Sequence, residues 1–303
     1  MKKTSSKIHI IGAGVSGLIA ALVLENYGYQ PTILEGSSSV GGRVKSDLVK
    51  GYTLDRGFQV LLTSYPAAKK YLDFDALKLQ KLLPGATIFI RGKAQTIGDP
   101  LRSFSLLFPT LFSSIGTFSD KLKILKLNTL LKNKNIDTIF KEDEKTTLQY
   151  LKDVGFSEDM IQNFFIPFFS GIFLEPNLDT SSRMFEFVYK MFGEGLAVLP
   201  EAGIQAISNQ LKDNLKNTKI VLNSEVKTVK DKGIILKGGS KIESDFTIIA
   251  TEASQLVANL KNQETSWKTC DTLYFKTSDK IISKPLIGLI ADKNALINNL
   301  FYH

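Results

Sequence analysis

Residues 8–43, IHIIGAGVSGLIAALVLENYGYQPTILEGSSSVGGR, carry three devices for holding phosphate and ribose at mutually consistent spacings. Gly12-Ala13-Gly14-Val15-Ser16-Gly17 follows an apolar run (Ile8, Ile10, Ile11) and precedes the apolar stretch Leu18 to Leu24. The GxGxxG therefore has the strand, turn and helix context that dinucleotide binding requires. Gly12 allows the tight turn, Gly14 lets backbone approach a pyrophosphate, and Gly17 lets helix and strand pack. The helix N-terminus at Val15 and Ser16 adds amide donors and the positive end of the helix dipole. Glu35 ends the expected strand Gln30 to Leu34, eighteen residues beyond Gly17. There a carboxylate can accept both hydroxyl protons of an adenosine ribose and would repel a 2′-phosphate, which argues against NADP. Gly41-Gly42-Arg43 adds open backbone and a guanidinium that can fork two phosphate oxygens. A plain nicotinamide dehydrogenase does not need that third device.

GAGVSG, LEGSSSVGGR and GYTLDRGFQVL together resemble the N-terminal FAD-binding segment of the amine oxidase and phytoene desaturase (protoporphyrinogen oxidase-like) flavoprotein superfamily. The resemblance implies an α/β fold: a Rossmann-like FAD-binding domain of the glutathione-reductase type, interrupted by a largely helical substrate or cap domain. It implies FAD as cofactor, with Gly42 and Arg43 lining the diphosphate. Asp55 and Gly57 would lie on a strand passing beside the flavin ring, and Val226 would make a backbone contact to the adenine. Phe58 stands where many members have a second glycine, so the pocket beside the flavin differs there. LPEAGIQAISNQL, with Pro200 and Gly203, resembles the family's return into the FAD domain, and Ala250 and Thr251 in TIIAT are weaker site candidates. No C-terminal Gly-Asp segment follows, and the sequence ends in NALINNLFYH, so it reads as a fragment whose flavin site lacks one wall.

Around these motifs the organisation is interrupted. The expected parts are 1–75, the first part of the FAD domain; 76–199, the substrate or cap domain; 200–258, the second part of the FAD domain; and 259–303, the start of a substrate-domain sheet. The insertion is rich in Phe and Leu, with helical spacing over Asp120 to Lys134, Thr147 to Val154 and Ser157 to Phe165, and with breakers at Pro100, Pro109, Pro167 and Pro176. Thr147 is a loose cap for one helix, whereas Ser157 followed by Glu158 and Asp159 is a better start for another. Behind the insertion, Lys219 to Asn223, Glu225 to Val229, Gly233 to Lys237 and Ser244 to Ala250 alternate apolar and polar residues as short strands do.

At 303 residues with 43% apolar composition, the chain is long enough for about two domains with real cores. Lys2 and Lys3 before an apolar run mimic a signal peptide, but the glycines interrupt that run and no small-residue cleavage site follows. No uninterrupted apolar stretch is long enough to span a bilayer. A single cysteine, Cys270, excludes an intrachain disulfide and a cysteine-built metal site. It fits a reducing cytoplasm. With only His9 and His303, no metal site is expected, and His9 reads as structural. The net charge of +8 is spread out, without the aromatic-interleaved basic patch of a nucleic-acid binder. Asp120 to Lys134 places Ile124, Leu127 and Leu131 on one helical face with lysines elsewhere; peripheral membrane contact and an ordinary surface helix both fit.

The expected activity is that of an FAD-dependent oxidoreductase passing hydride from an apolar or amine-bearing small molecule to flavin, with desaturation of an isoprenoid-like chain slightly preferred. A non-enzymatic lipid or prenyl-protein binding protein of the same fold and an NAD-dependent dehydrogenase are the alternatives. No catalytic acid or base is named. Arg183 could hold an anionic substrate or simply stabilise its helix. The cluster Phe164, Phe165, Phe168, Phe169 and Phe173, with Phe185, Phe187 and Phe192, could line a tunnel, though core packing is the commoner use of such residues.

Overall fold

The computed structural model describes residues 6–260, 265–292 and 294–302. They form two compact units of mixed α/β structure, Met1–Gln59 with Lys69–Leu79 and Leu199–Trp267, and Val60–Ala68 with Gln80–Val198 and Lys268–His303. Residues 60–68 thus group with the second unit and 259–267 with the first, unlike the expected boundaries at 75 and 258. The first shift has a backbone cause: Leu61 and Leu62 pair antiparallel with Val198 and Ala197.

In the first unit, four strands lie in the order Lys219–Val221, Thr32–Leu34, Ile8–Ile11, Phe246–Ile249, and every pairing is parallel. Ile10 and Ile33 are fully buried, as expected of central parallel strands covered on both faces. The helix Val15–Asn26 returns over this sheet, burying Gly17, Leu18 and Ala21. Two antiparallel pieces complete the unit. One is a hairpin of Ser46–Val49 and Tyr52–Asp55, turned by Lys50 and Gly51, both at positive φ. The other is the three-stranded sheet Val226–Lys230, Gly233–Leu236 and Lys241–Glu243.

The second unit is less purely helical than its sequence suggests. A four-stranded sheet runs Asn299–Leu300, Ile287–Ile290, Gly85–Ile90, Lys93–Gly98, with Ile287–Ile290 parallel to Gly85–Ile90. Around it lie the helices Phe118–Asn133, Thr147–Val154, Ile166–Phe173 and Ser182–Glu194. The phenylalanines are core: Phe165, Phe169 and Phe185 are fully buried, and Phe164, Phe168, Phe173, Phe187 and Phe192 pack against their cluster. Ring centroids of Phe169 and Phe185 are 4.8 Å apart and tilted, the favoured aromatic geometry.

Several local expectations change. The cap of Thr147–Val154 is Thr146, whose hydroxyl accepts from the Gln149 amide at 3.1 Å, while Thr147 Oγ1 donates to the Thr180 carbonyl at 2.6 Å. Pro109 and Pro167 do not end helices but stand in the first turns of Leu107–Phe112 and Ile166–Phe173. For Pro109, at a helix start, the missing N–H costs little. Pro167 instead continues a helical path in which Glu158–Met160 is followed by a π-helical turn at Ile161–Phe165, the kind of local widening that can accommodate a proline within a helix. The helix expected from Asp120 starts at Phe118, because Thr117 and Asp120 form a reciprocal capping box.

Candidate functional site

The three sequence devices of the first unit meet at one place. Gly12, at φ 100°, turns the chain out of the first strand, and its amide donates to the Leu34 carbonyl at 2.8 Å. A Cβ on Gly17 would lie 2.0 Å from the Gly12 carbonyl oxygen, so only glycine lets helix and turn close on each other. Ala250 backs the turn, its amide donating to the Ile11 carbonyl at 2.8 Å. Thr251 lies alongside, 3.5 Å from where a Cβ on Gly12 would stand. Gly14 differs: a Cβ there would meet no protein atom within 4 Å. It is the N-cap of Val15–Asn26 and has no side chain to satisfy the first amides, so those of Val15 and Ser16 begin the helix without a side-chain cap.

Gly41 and Gly42 are clasped to this turn. The Gly41 amide donates to the Ala13 carbonyl at 2.9 Å, Gly14 and Gly41 form an isolated parallel bridge, and a Cβ on Gly42 would lie 3.3 Å from the Gly14 Cα. Both glycines have positive φ, 120° and 58°. Gly41 is further confined by the Val44 carbonyl oxygen, which would stand 2.5 Å from a Cβ at that position. Arg43 follows, exposed, and makes no ion pair among the described residues. Its guanidinium lies 5.3 Å over the ring of Trp267, whose Nε1 donates to Glu252 Oε2 at 3.1 Å. No sequence signal pointed to Trp267 or Glu252, since only folding brings them to Arg43.

Glu35 is half-buried, and both its oxygens are already engaged: Oε2 accepts from the Ala13 amide at 2.7 Å and Oε1 from the Ser37 amide at 2.8 Å. A carboxylate has about four acceptor positions, so two remain for other donors. The carboxylate is thereby tied to the glycine turn itself, an interaction that the strand-end position alone does not reveal. The Glu35 carbonyl accepts from the Ser224 amide at 2.7 Å, which holds the strand end next to Val226. Val226 packs its side chain into a small core with Ile11, Leu34 and Ile234.

Asp55 is buried and acts as a clamp: Oδ1 accepts from Ser46 Oγ at 2.5 Å and from the Ile204 amide at 2.9 Å. Gly203, at φ 84°, lies against the same group, and a Cβ there would fall 2.9 Å from Asp55 Oδ1 and 2.6 Å from Ser46 Oγ. The Pro200–Gly203 return is thus locked onto the hairpin. Gly57 has φ 97° and Phe58 is half-buried. Gln59 ties this bend to the third device, donating from Nε2 to the Arg43 carbonyl at 3.1 Å.

Other sequence candidates stand apart from this cluster. His9 is buried, with Nδ1 at 2.9 Å from Ser244 Oγ; burial, reinforced by Lys7, pushes its pKa down. Arg183 sits at the start of Ser182–Glu194, 3.7 Å from Glu144. Among the described residues no group of His, Cys, Asp and Glu is arranged to hold a metal ion, and no helix is long and apolar enough to cross a membrane.

L-amino-acid oxidase of Protobothrops flavoviridis is 28% identical over 83% of this chain and 53% of its own length. The chain thus spans about half the length of the curated relatives it matches. Putrescine oxidase in complex with putrescine superposes with a TM-score of 0.60 at 18% identity, over 82% of this chain and 58% of that one. An oxidoreductase from Methanosarcina mazei gives a TM-score of 0.59 at 21% identity, over 82% and 59%. At such identities the likeness establishes a shared fold. The family described as flavin containing amine oxidoreductase matches residues 15–283, most of the sequence, and the chain belongs to that family.

Proposed function

We propose that this chain forms the cofactor-holding part of an FAD-dependent oxidoreductase that removes hydride from the carbon beside the nitrogen of an amine-bearing small molecule. The observation that carries the reading is the convergence of three segments: the open face of Gly14, the Gly41-Gly42 backbone clasped against it, and the Glu35 carboxylate hydrogen-bonded to Ala13 between them. The donor set suits a dinucleotide. Amides at a helix start, a nearby guanidinium without a carboxylate partner and a carboxylate with acceptor positions to spare match a diphosphate and a ribose.

In this reading the Val15 and Ser16 amides, with Gly12, Gly14 and Gly17 shaping the turn, hold the diphosphate together with Gly42 and Arg43. Glu35 receives the ribose hydroxyls, and its bond from Ala13 sets the carboxylate in register with the turn. Val226 offers its backbone to the adenine, and Gly57 and Phe58 flank the ring system. FAD, when bound, supplies the two-electron acceptor chemistry. The chain's own task is binding, orientation and exclusion of water.

The parallel sheet around Ile8–Ile11, with the antiparallel strands Val226–Lys230 to Lys241–Glu243 beside it, supports a Rossmann-like domain of the glutathione-reductase type. Its sequence is interrupted by the Phe-rich second unit, which supports the cap-domain reading. The names of the relatives, L-amino-acid oxidase and putrescine oxidase, favour an amine over an isoprenoid chain.

The test is an absorption spectrum of the purified chain, followed by release and identification of bound cofactor. Flavin bands with FAD in the supernatant, bleached anaerobically by an amine substrate, are the expected result. A colourless protein that takes up no added FAD would overturn the cofactor assignment.

A further inference from the structure

The second unit turns an ordered apolar surface outward. Leu101, Phe104, Phe108, Leu111 and Phe112 recur at helical spacing through the turn Phe104–Leu106 and the helix Leu107–Phe112, and all are exposed, Leu101 to 84%, Phe104 to 74% and Phe112 to 79%. The inward residue of this stretch is Leu106, fully buried. The next helix repeats the pattern: Phe118, Leu122, Leu125 and Leu130 are exposed, while Leu127 and Leu131 face the core. The apolar face expected from sequence, with Leu127 and Leu131, is therefore already covered, and a different one looks outward. Lys121 staples the two stripes together, its Nζ donating to the Leu111 carbonyl at 3.1 Å and the Ser113 carbonyl at 2.8 Å. Single exposed apolar residues need no explanation, but a contiguous set of this size does.

The charge around the patch selects the partner. Residues 101–134 hold Arg102, Lys121, Lys123, Lys126, Lys132 and Lys134 against a single acid, Asp120, which is buried. Arg102, Lys121, Lys126 and Lys132 pair with no carboxylate among the described residues. Large apolar side chains bordered by uncompensated cations match the boundary between acyl chains and anionic headgroups.

We propose that Leu101 to Phe118, together with the outer side of Phe118–Asn133, docks peripherally on an anionic lipid bilayer. This surface does not depend on the flavin reading. The test is flotation of the full chain with vesicles of phosphatidylcholine alone and of phosphatidylcholine mixed with phosphatidylserine. Binding is expected to the mixed vesicles and to weaken as salt rises. A Lys126→Gln/Lys132→Gln variant should partition roughly twentyfold to thirtyfold less, at about fivefold per lysine. A Phe108→Ser/Phe112→Ser variant should lose about tenfold or more, because both rings leave the interface. All four side chains are exposed, so the variants should keep the wild-type far-ultraviolet circular dichroism. If one does not fold, the wild-type dependence on lipid charge and salt decides alone. Absence of flotation with the mixed vesicles, equal binding to neutral ones, or undiminished binding by folded variants would overturn the proposal. So would self-association lost in the Phe108→Ser/Phe112→Ser variant without vesicle binding, which would assign the face to a second copy of the chain.

Discussion

Replacing Gly14 by alanine should separate cofactor binding from folding. Gly14 has φ −69° and ψ 174°, backbone angles open to any residue, and its Cβ would meet no protein atom within 4 Å. Alanine at an N-cap is slightly less favourable than glycine, but it also reduces the freedom of the unfolded chain, and the two effects are each about 0.5 kcal/mol and opposed. The cofactor-free variant should therefore unfold within about 2 °C of the wild type, since larger shifts require about 0.5 kcal/mol or more. The added methyl group would occupy the space through which a diphosphate approaches the Val15 and Ser16 amides. An amide bond to a charged oxygen contributes roughly 1.5–3 kcal/mol, so losing two weakens FAD by about a hundredfold or more. Gly17→Ala is the contrast: its Cβ would stand 2.0 Å from the Gly12 carbonyl oxygen, so it should fail at folding itself. Thermal unfolding without FAD and a flavin-fluorescence titration read the two quantities. Wild-type FAD affinity in Gly14→Ala, or a large loss of cofactor-free stability, would refute the placement of the diphosphate.

Glu35→Ala removes the acceptor for Ala13 and Ser37 as well as the proposed ribose partner, and should weaken FAD about tenfold or more in an equilibrium titration. Undiminished affinity would take Glu35 out of the site. In the second unit, burial alone would raise the pKa of Asp120, but hydrogen bonds from the hydroxyl and amide of Ser157 and from the amide and hydroxyl of Thr117 overcome it and bring it to about 2. Because the folded value lies below the unfolded one, this carboxylate stabilises the fold above the ordinary Asp range. That contribution, about 2 kcal/mol, is lost as pH falls through the range from about 5 to about 2. Asp120→Asn should lower stability at neutral pH by about 2 kcal/mol and flatten the acid limb of a urea-unfolding series. An unchanged acid limb would show that Asp120 does not set it.

The glycine-dependent part of the nucleotide turn was legible because its constraints are local. Gly12, Gly14 and Gly17 owe their identity to a tight turn, an open approach and a close helix contact within six residues of chain, so spacing alone announces them. The same holds for Ser157 as a helix start and for the short strands behind the insertion, whose alternation follows from the pleat. Asp55 was marked by family resemblance, yet the bond it accepts from the Ile204 amide joins segments that the whole insertion separates. The placing of Arg43 over Trp267 is likewise tertiary, as is the tie from Ala13 to Glu35. A sheet was expected to begin in 259–303, but the pairing of Ile287–Ile290 with Gly85–Ile90 was not legible, because it is parallel and long-range and a short apolar run does not name its partner. The composition alone set the amount of apolar surface, including every Phe of the insertion. Only packing decided which rings, such as Phe165 and Phe185, fill the core and which, such as Phe104 and Phe112, remain in water, because a helix offers two faces and its neighbours choose one.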